Sequence, residues 1–227
     1  MNKPSVKKIK YYYAVKAGRS TGIFDSWEDC KKQVQGYSGA IFKGFEKLAD
    51  AKGFLESSAD KTIDTSLPYA FIDGSFSKKN NMYGWGGFIC NGEDIHILQG
   101  TGNAKDYLRH RNITGEVRGA IDVIQQAIAL GLPAINLYYD YSGIEQWASN
   151  NWKCTTPLSK FYQRYYLSHK DKVAITFIHV KGHTGIKGNE IADTLAKEAV
   201  GAQIRKKDKA LLEEFKEKGA SLWKLQP

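Results

Sequence analysis

The chain has little of what marks a secreted or membrane-embedded protein. Only three of its 227 residues are cysteine. Cys30, Cys90 and Cys154 are odd in number, far apart and in no metal-ligand spacing. That excludes a disulfide framework or a thiolate zinc site and points to reduced thiols. No apolar run approaches a membrane span, and residues 1–8 lack the apolar core of a signal peptide. The expectation is a cytoplasmic protein with no membrane role. Acidic residues are also the scarcer charge, 24 against 33 Lys and Arg, which leaves a net charge of +9. Such an excess favours an anionic partner, nucleic acid before membrane.

What is present suffices for folded cores: 42% of residues are hydrophobic and 12% aromatic, so a disordered polyelectrolyte is excluded. The length suits one large domain or a small plus a medium one. Charge divides the chain unevenly. Residues 1–55 hold eleven Lys and Arg against five Asp and Glu, two-thirds of the net charge in a quarter of the length. Within that stretch, strand-like runs at 11–16, 23–24 and 40–45 alternate with short helical patterns near 26–34 and 48–55, a ββαβα order. Ser26 with Asp29 three residues on forms an acidic capping box. Trp27 and Phe42 stand among the lysines. They either meet the sugars and bases of a nucleic acid whose phosphates meet lysine, or fill a small core.

The segments Tyr13-Ala-Val-Lys-x-Gly-Arg-x-x-Gly-Ile-Phe24, Trp27-x-x-Cys30 and Gly39-Ala-x-Phe-Lys43 resemble the hybrid-binding module of many type 1 ribonucleases H, shared with caulimovirus viroplasmins. The resemblance implies that Trp27 and Phe42 contact the DNA strand and Lys43 a phosphate. Gly44 stands where some members carry a second lysine. Residues 56–67 are polar, end at Pro68 and read as a flexible linker.

From residue 68 onward the pattern is α/β. Strands near 69–73, 84–90 and 94–100 form an antiparallel meander, with Asn91-Gly92 as a hairpin turn. A helix opens near Asn112–Glu116 and stops at Gly131 and Pro133. A fourth strand at 135–139 ends on Asp140, and Ser142 with Glu145 suggests a capping box for a short helix. Another helix follows Pro157. A fifth strand at 173–180 leads through a Gly-rich loop to a helix from Asn189 to about Val200. A right-handed crossover sets the first and fourth strands side by side. Asp73 and Asp140 then lie at strand ends, with Glu116 and Asp193 in the first turns of helices.

Each carboxylate has an ordinary explanation: a turn for Asp73 or Asp140, a helix dipole for Glu116 or Asp193, and Lys197 as salt-bridge partner of Asp193. Together they do not. Carboxylates crowded within about 5 Å repel by a few kcal/mol at an effective dielectric near 20. A bound cation relieves that repulsion, and hard oxygen ligands without Cys or His select Mg2+ or Mn2+ over Zn2+. Two such ions suit phosphodiester cleavage, with His183 on its glycine-flanked loop as a mobile helper.

The motifs Phe71-Ile-Asp-Gly-Ser75, Asn112-x-x-Gly-Glu116, Tyr139-Asp140, Val180-Lys-Gly-His-Thr-Gly185 and Gly188-Asn-Glu-x-Ala-Asp193 are similar to ribonuclease H type 1, in the family's order. The resemblance implies a mixed five-stranded sheet flanked by helices. It implies Asp73, Glu116, Asp140 and Asp193 as ligands of two Mg2+ ions, His183 as a product-release residue and Asn112 as a minor-groove contact. The implied activity is cleavage of the RNA strand of RNA–DNA hybrids, leaving 3′-hydroxyl and 5′-phosphate ends. Ile113 replaces a second asparagine, Tyr-Ser-Gly follows Asp140, and 147–160 is too short for the basic protrusion of some bacterial members.

The resulting expectation is a hybrid-binding domain at 1–55, a linker at 56–67, a catalytic domain at 68–201 and a charged tail at 202–227, whose Leu211, Leu212 and Phe215 suit an extra helix packed on the domain. The protein acts as a monomer on an RNA–DNA hybrid, with no protein partner implied. A non-catalytic scaffold of viroplasmin type and a DNA-strand nuclease of the same fold are the alternatives.

Overall fold

The computed structural model describes residues 11–37, 39–56, 63–92, 94–182 and 185–219. The chain divides into two compact units, Met1–Thr62 and Ile63–Pro227.

In the first unit, strands β1 (Tyr12–Ala17), β2 (Gly22–Phe24) and β3 (Ile41–Phe45) form an antiparallel sheet in the order β2-β1-β3, with helices α1 (Trp27–Val34) and α2 (Leu48–Glu56). The Ser26 hydroxyl accepts from the Asp29 N–H at 3.1 Å, the cap expected for α1. Alternation along β1 divides a small core in two. Val15 packs with Cys30 and Val34 beneath α1, and Ala14 packs with Ala51 and Phe54 beneath α2.

The second unit holds β4 (Tyr69–Ser77), β5 (Met82–Asn91), β6 (Asp94–Gly102), β7 (Ala134–Tyr139) and β8 (Ala174–His179) in the order β6-β5-β4-β7-β8. The first three strands are the expected meander, with Gly92 at positive φ in its hairpin. Strand β7 joins β4 in parallel, as does β8 to β7. Helices α3 (Lys105–Leu108), α4 (Asn112–Ala129), α5 (Gly143–Ala148), α6 (Pro157–His169), α7 (Lys187–Ala199) and α8 (Lys206–Lys218) complete it. One cluster gathers Ile72, Val117, Ile121, Ile124 and Leu137; another gathers Phe71, Phe88, Ile191, Leu195, Leu212 and Phe215. Phe71 and Ile72 are consecutive on β4, so the clusters occupy opposite faces of the sheet. Among the described residues, no helix is long and apolar enough to cross a membrane.

Three local expectations are corrected. Asp73 lies mid-strand, because β4 goes on pairing with β5 as far as Ser77↔Met82. Glu116 and Asp193 fall in second turns, since α4 starts at Asn112 and α7 at Lys187. Ser142 makes no cap: its backbone is already helical, and Glu145 instead accepts from the Tyr139 hydroxyl at 2.8 Å. The extra helix expected in the tail is present as α8, and it buries Leu212 and Phe215.

Candidate active site

The sheet's own register places the first two carboxylates. Strand β4 pairs with β7 only through Phe71↔Tyr138 and then runs on beside β5 alone. Asp73 stands two residues past that point, and Asp140 directly follows the end of β7. Both therefore sit at the carboxyl mouth of a parallel pair, where α/β sheets present ligand sites.

Glycines bring in the third. A Cβ on Gly74 would collide with the Asn112 carbonyl and the Glu116 N–H, and one on Gly115 would collide with the Gly84 carbonyl. The start of α4 therefore lies directly on β4 and β5. From there Glu116 Oε1 reaches the Gly74 N–H at 3.0 Å, and the same N–H donates to Asp73 Oδ1 at 2.6 Å.

Asp73, Glu116 and Asp140 each offer one oxygen, and these oxygens lie within 4.8 Å of one another. Burial, with the neighbouring Asp140 charge second, pushes the Asp73 carboxyl up to about 7, and Asp193 adds to the effect. Burial, followed by the charges of Asp73 and Asp140, holds Glu116 well above the ordinary carboxylate range. Glu116 is 2% exposed, and its Oε2 has no hydrogen-bond partner. An orphaned buried oxygen in an all-oxygen donor set fits a hard divalent cation held by these three side chains.

Asp193 stands beside this trio without joining it. It accepts from Lys197 Nζ one turn on at 2.5 Å, the salt bridge expected from the spacing, while its charge still reaches Asp73. Asn112 is exposed at the first position of α4. His183 lies outside the described residues. Gly182, before it, passes so close to Asp140 that an added Cβ would stand 2.7 Å from Oδ2.

On the first unit, Trp27 is 40% exposed and its ring centroid lies 5.7 Å from that of Phe42. Phe42 is half-buried against the Val15–Cys30–Val34 cluster, so its ring serves core and surface at once. Tyr13 and Tyr11 extend the row at 5.7 and 6.4 Å. Lys43 belongs to the other face: its ammonium lies 5.7 Å from the Phe45 ring, on the side of α2. The fold brings Trp27 and Phe42 together and sets Lys43 across the sheet. Tyr13 escaped the sequence reading; its signal was Gly44, its cross-strand neighbour, which leaves room for the ring.

Comparisons with known proteins agree with this architecture. Residues 68–201 match the family model described as RNase H, and residues 11–55 match the one described as Ribonuclease H1 N-terminal domain. Ribonuclease H1 of Rattus norvegicus is 25% identical over 251 residues, covering 82% of this chain and 88% of the relative. Ribonuclease H of Francisella tularensis subsp. novicida is 33% identical over 151 residues, covering 60% and 93%. The solved RNase H1 of the halophilic archaeon Halobacterium salinarum is 24% identical, with a TM-score of 0.47 over 59% of this chain and 97% of that one. With the family model spanning more than half its length, this chain belongs to the ribonuclease H family, as a type 1 enzyme that carries the ribonuclease H1 N-terminal domain.

Proposed function

We propose that the protein hydrolyses the RNA strand of RNA–DNA hybrids as an endonuclease, leaving 3′-hydroxyl and 5′-phosphate ends. Asp73, Glu116, Asp140 and Asp193 hold two divalent cations, Mg2+ or Mn2+. The observation that carries this reading is the Glu116 Oε2 atom, buried and without a partner among oxygens within 4.8 Å of one another. Bound there, the cations would acidify the attacking water and neutralise charge building on the leaving oxygen.

The chain's own groups prepare that chemistry. The Gly74 N–H holds one oxygen each of Asp73 and Glu116, so the two carboxylates keep a fixed separation. The Lys197 ammonium donates to Asp193, whose charge acts on Asp73. Asn112, exposed at the start of α4, is available to a minor groove, where 2′-hydroxyls on one strand and deoxyribose on the other distinguish a hybrid from either pure duplex. His183 is assigned to product release. On the N-terminal unit, the Trp27–Phe42 pair offers ring faces to the DNA strand, and Lys43 reaches a phosphate.

The test presents labelled RNA–DNA hybrid, double-stranded RNA and double-stranded DNA, each with Mg2+, Mn2+ or chelator. Only the hybrid is cut, and chelator or Asp73→Asn abolishes cutting while hybrid binding persists. Near-normal turnover by Asp73→Asn, or equal cutting of double-stranded DNA, refutes the reading. Removing residues 1–62 weakens hybrid affinity and flattens its salt dependence.

A further inference from the structure

Beyond the carboxylate trio, α7 and the start of α8 enclose a pocket of about 190 Å3 lined by Asn189, Glu190, Asp193, Arg205 and Lys207. Three features give it a chemical preference. Asn189 is 4% exposed, and its Oδ1 has no hydrogen-bond partner. An amide oxygen can only accept, so this atom calls for a ligand that donates. The second feature is a positioned cation. Arg205 donates from Nε and Nη2 to the two oxygens of Asp208 at 2.6 and 3.1 Å. Asp208 is 4% exposed whereas the Arg205 side chain is 63% exposed. The buried carboxylate fixes the plane of the guanidinium, and two of its five N–H groups are used. Third, α8 runs for 13 residues and opens here, so its positive end adds to the charges of Arg205 and Lys207.

A donor next to an anion fits a ribonucleotide, whose 2′-hydroxyl and phosphate are neighbours. Deoxyribose supplies the anion without the donor. Inorganic phosphate carries an O–H of its own at neutral pH, so it is told apart from a ribonucleotide by the response to removing single 2′-hydroxyls. We infer that α8 completes an additional subsite beside Asp193 for the RNA strand, in which Asn189 Oδ1 accepts from a 2′-hydroxyl while Arg205 and Lys207 hold the adjoining phosphate. This rests on the nuclease reading and extends it along the strand. Lys207 is the residue to probe, because Arg205 is tied into the fold through Asp208.

The experiment measures cleavage of an RNA–DNA hybrid by the full-length chain with Mg2+, over a range of salt, for wild type, Lys207→Glu, Lys207→Arg and Asn189→Ala. Lys207→Glu raises KM about three- to tenfold and reduces the slope of log KM against log salt by about one, because one phosphate contact is lost. Lys207→Arg restores both. A scan of hybrids carrying one 2′-deoxynucleotide at successive RNA positions supplies the second arm. At one position wild type loses kcat/KM several-fold, and Asn189→Ala loses nothing further there. Losses that add at every position overturn the 2′-hydroxyl contact. An unchanged KM and salt slope for Lys207→Glu overturn the phosphate contact. Inorganic phosphate that inhibits wild type but spares Lys207→Glu, combined with a flat deoxy scan, would reduce the pocket to a plain anion site and overturn the inference. Failure of the nuclease reading itself appears separately, as absent cleavage by wild type.

Discussion

The Asp73–Glu116–Asp140 cluster makes a prediction about folding that is independent of catalysis. In chelator, raising the pH from 5 to 8 should destabilise wild type relative to Asp73→Asn. The sign follows from proton binding. Burial and the Asp140 charge raise the Asp73 carboxyl from 3.8 to about 7 in the folded protein, so between those values the native state holds more protons than the unfolded one. Stability from this group is fully present below its unfolded value and is lost as pH rises through about 7. A shift of that size corresponds to a ceiling of about 4 kcal/mol. Coulomb's law gives a similar scale, about 3 kcal/mol for a pair of charges at the spacing of this cluster and an effective dielectric of 20. Water entry and relaxation of the side chains reduce both figures, so the expected differential loss is about 2 kcal/mol. Asn keeps an oxygen to accept from the Gly74 N–H and drops the charge. Urea unfolding of both proteins at pH 5 and 8 measures the difference directly; titrating groups remote from the cluster cancel, and the measured difference includes the relief of Glu116, whose carboxyl the Asp73 charge helps to raise. Adding Mg2+ at pH 8 should then stabilise wild type and leave Asp73→Asn nearly unchanged. If the two proteins keep the same stability difference at both pH values, within about 0.5 kcal/mol, the clustering of charge is not real and the metal-site argument loses its basis.

Phe215→Ala should destabilise the second unit by about 3–5 kcal/mol in chemical denaturation, because the ring is 1% exposed and its centroid lies 4.6 Å from that of Phe88. A loss under about 1 kcal/mol would mean that α8 is an appendage rather than part of the core. Trp27→Ala should leave thermal stability nearly unchanged, given the ring's 40% exposure, while weakening hybrid binding by about 1–3 kcal/mol of lost stacking, read from a titration in chelator. Unchanged affinity would remove the aromatic row from the binding surface.

The sheet was legible because its strands carry clear signals: short apolar runs at Tyr69–Ile72 of β4 and Phe88–Cys90 of β5, the Gly92 hairpin, and apolar β7 and β8 bounded by turn residues. The clustering of the carboxylate trio was legible because Asp73 and Asp140 lie at the carboxyl end of a parallel pair and Glu116 near the start of the helix between those strands. Two things escaped. An Asp-Gly pair reads locally as a turn, yet the register with Gly86 and Trp85 carries β4 straight through Asp73 and Gly74. The N-cap of α5 failed because Ser142 already has helical backbone angles and lies 3.4 Å from His179 Nε2, a long-range contact that no local pattern encodes. Helix α8 was legible despite its many charges, because the spacing of Leu211, Leu212 and Phe215 marks its buried stripe.

The glycines explain how three acids remote in sequence bring oxygens within 4.8 Å of one another, with Asp193 nearby. A carboxylate on α4 has a short reach, so Glu116 meets the strand only if the two backbones nearly touch. Gly74 and Gly115 remove the side chains that would hold α4 away. On the other face, a Cβ at Gly86 would strike the backbone of α7 at Ala196, and one at Gly84 would strike Val200. Gly84 thus serves both helices, offering its carbonyl to Gly115 of α4 and its bare Cα to α7. The strand segment Gly84–Gly86 is therefore a spacer made of missing side chains, and it sets how near Glu116 and Asp193 come to Asp73. A methyl group there is about the size of the whole clearance. Restoring it would separate the helices by more than a hydrogen bond can stretch, with every acid still in place. Proximity at this edge is thus encoded as much by what the central strands omit as by the acids themselves.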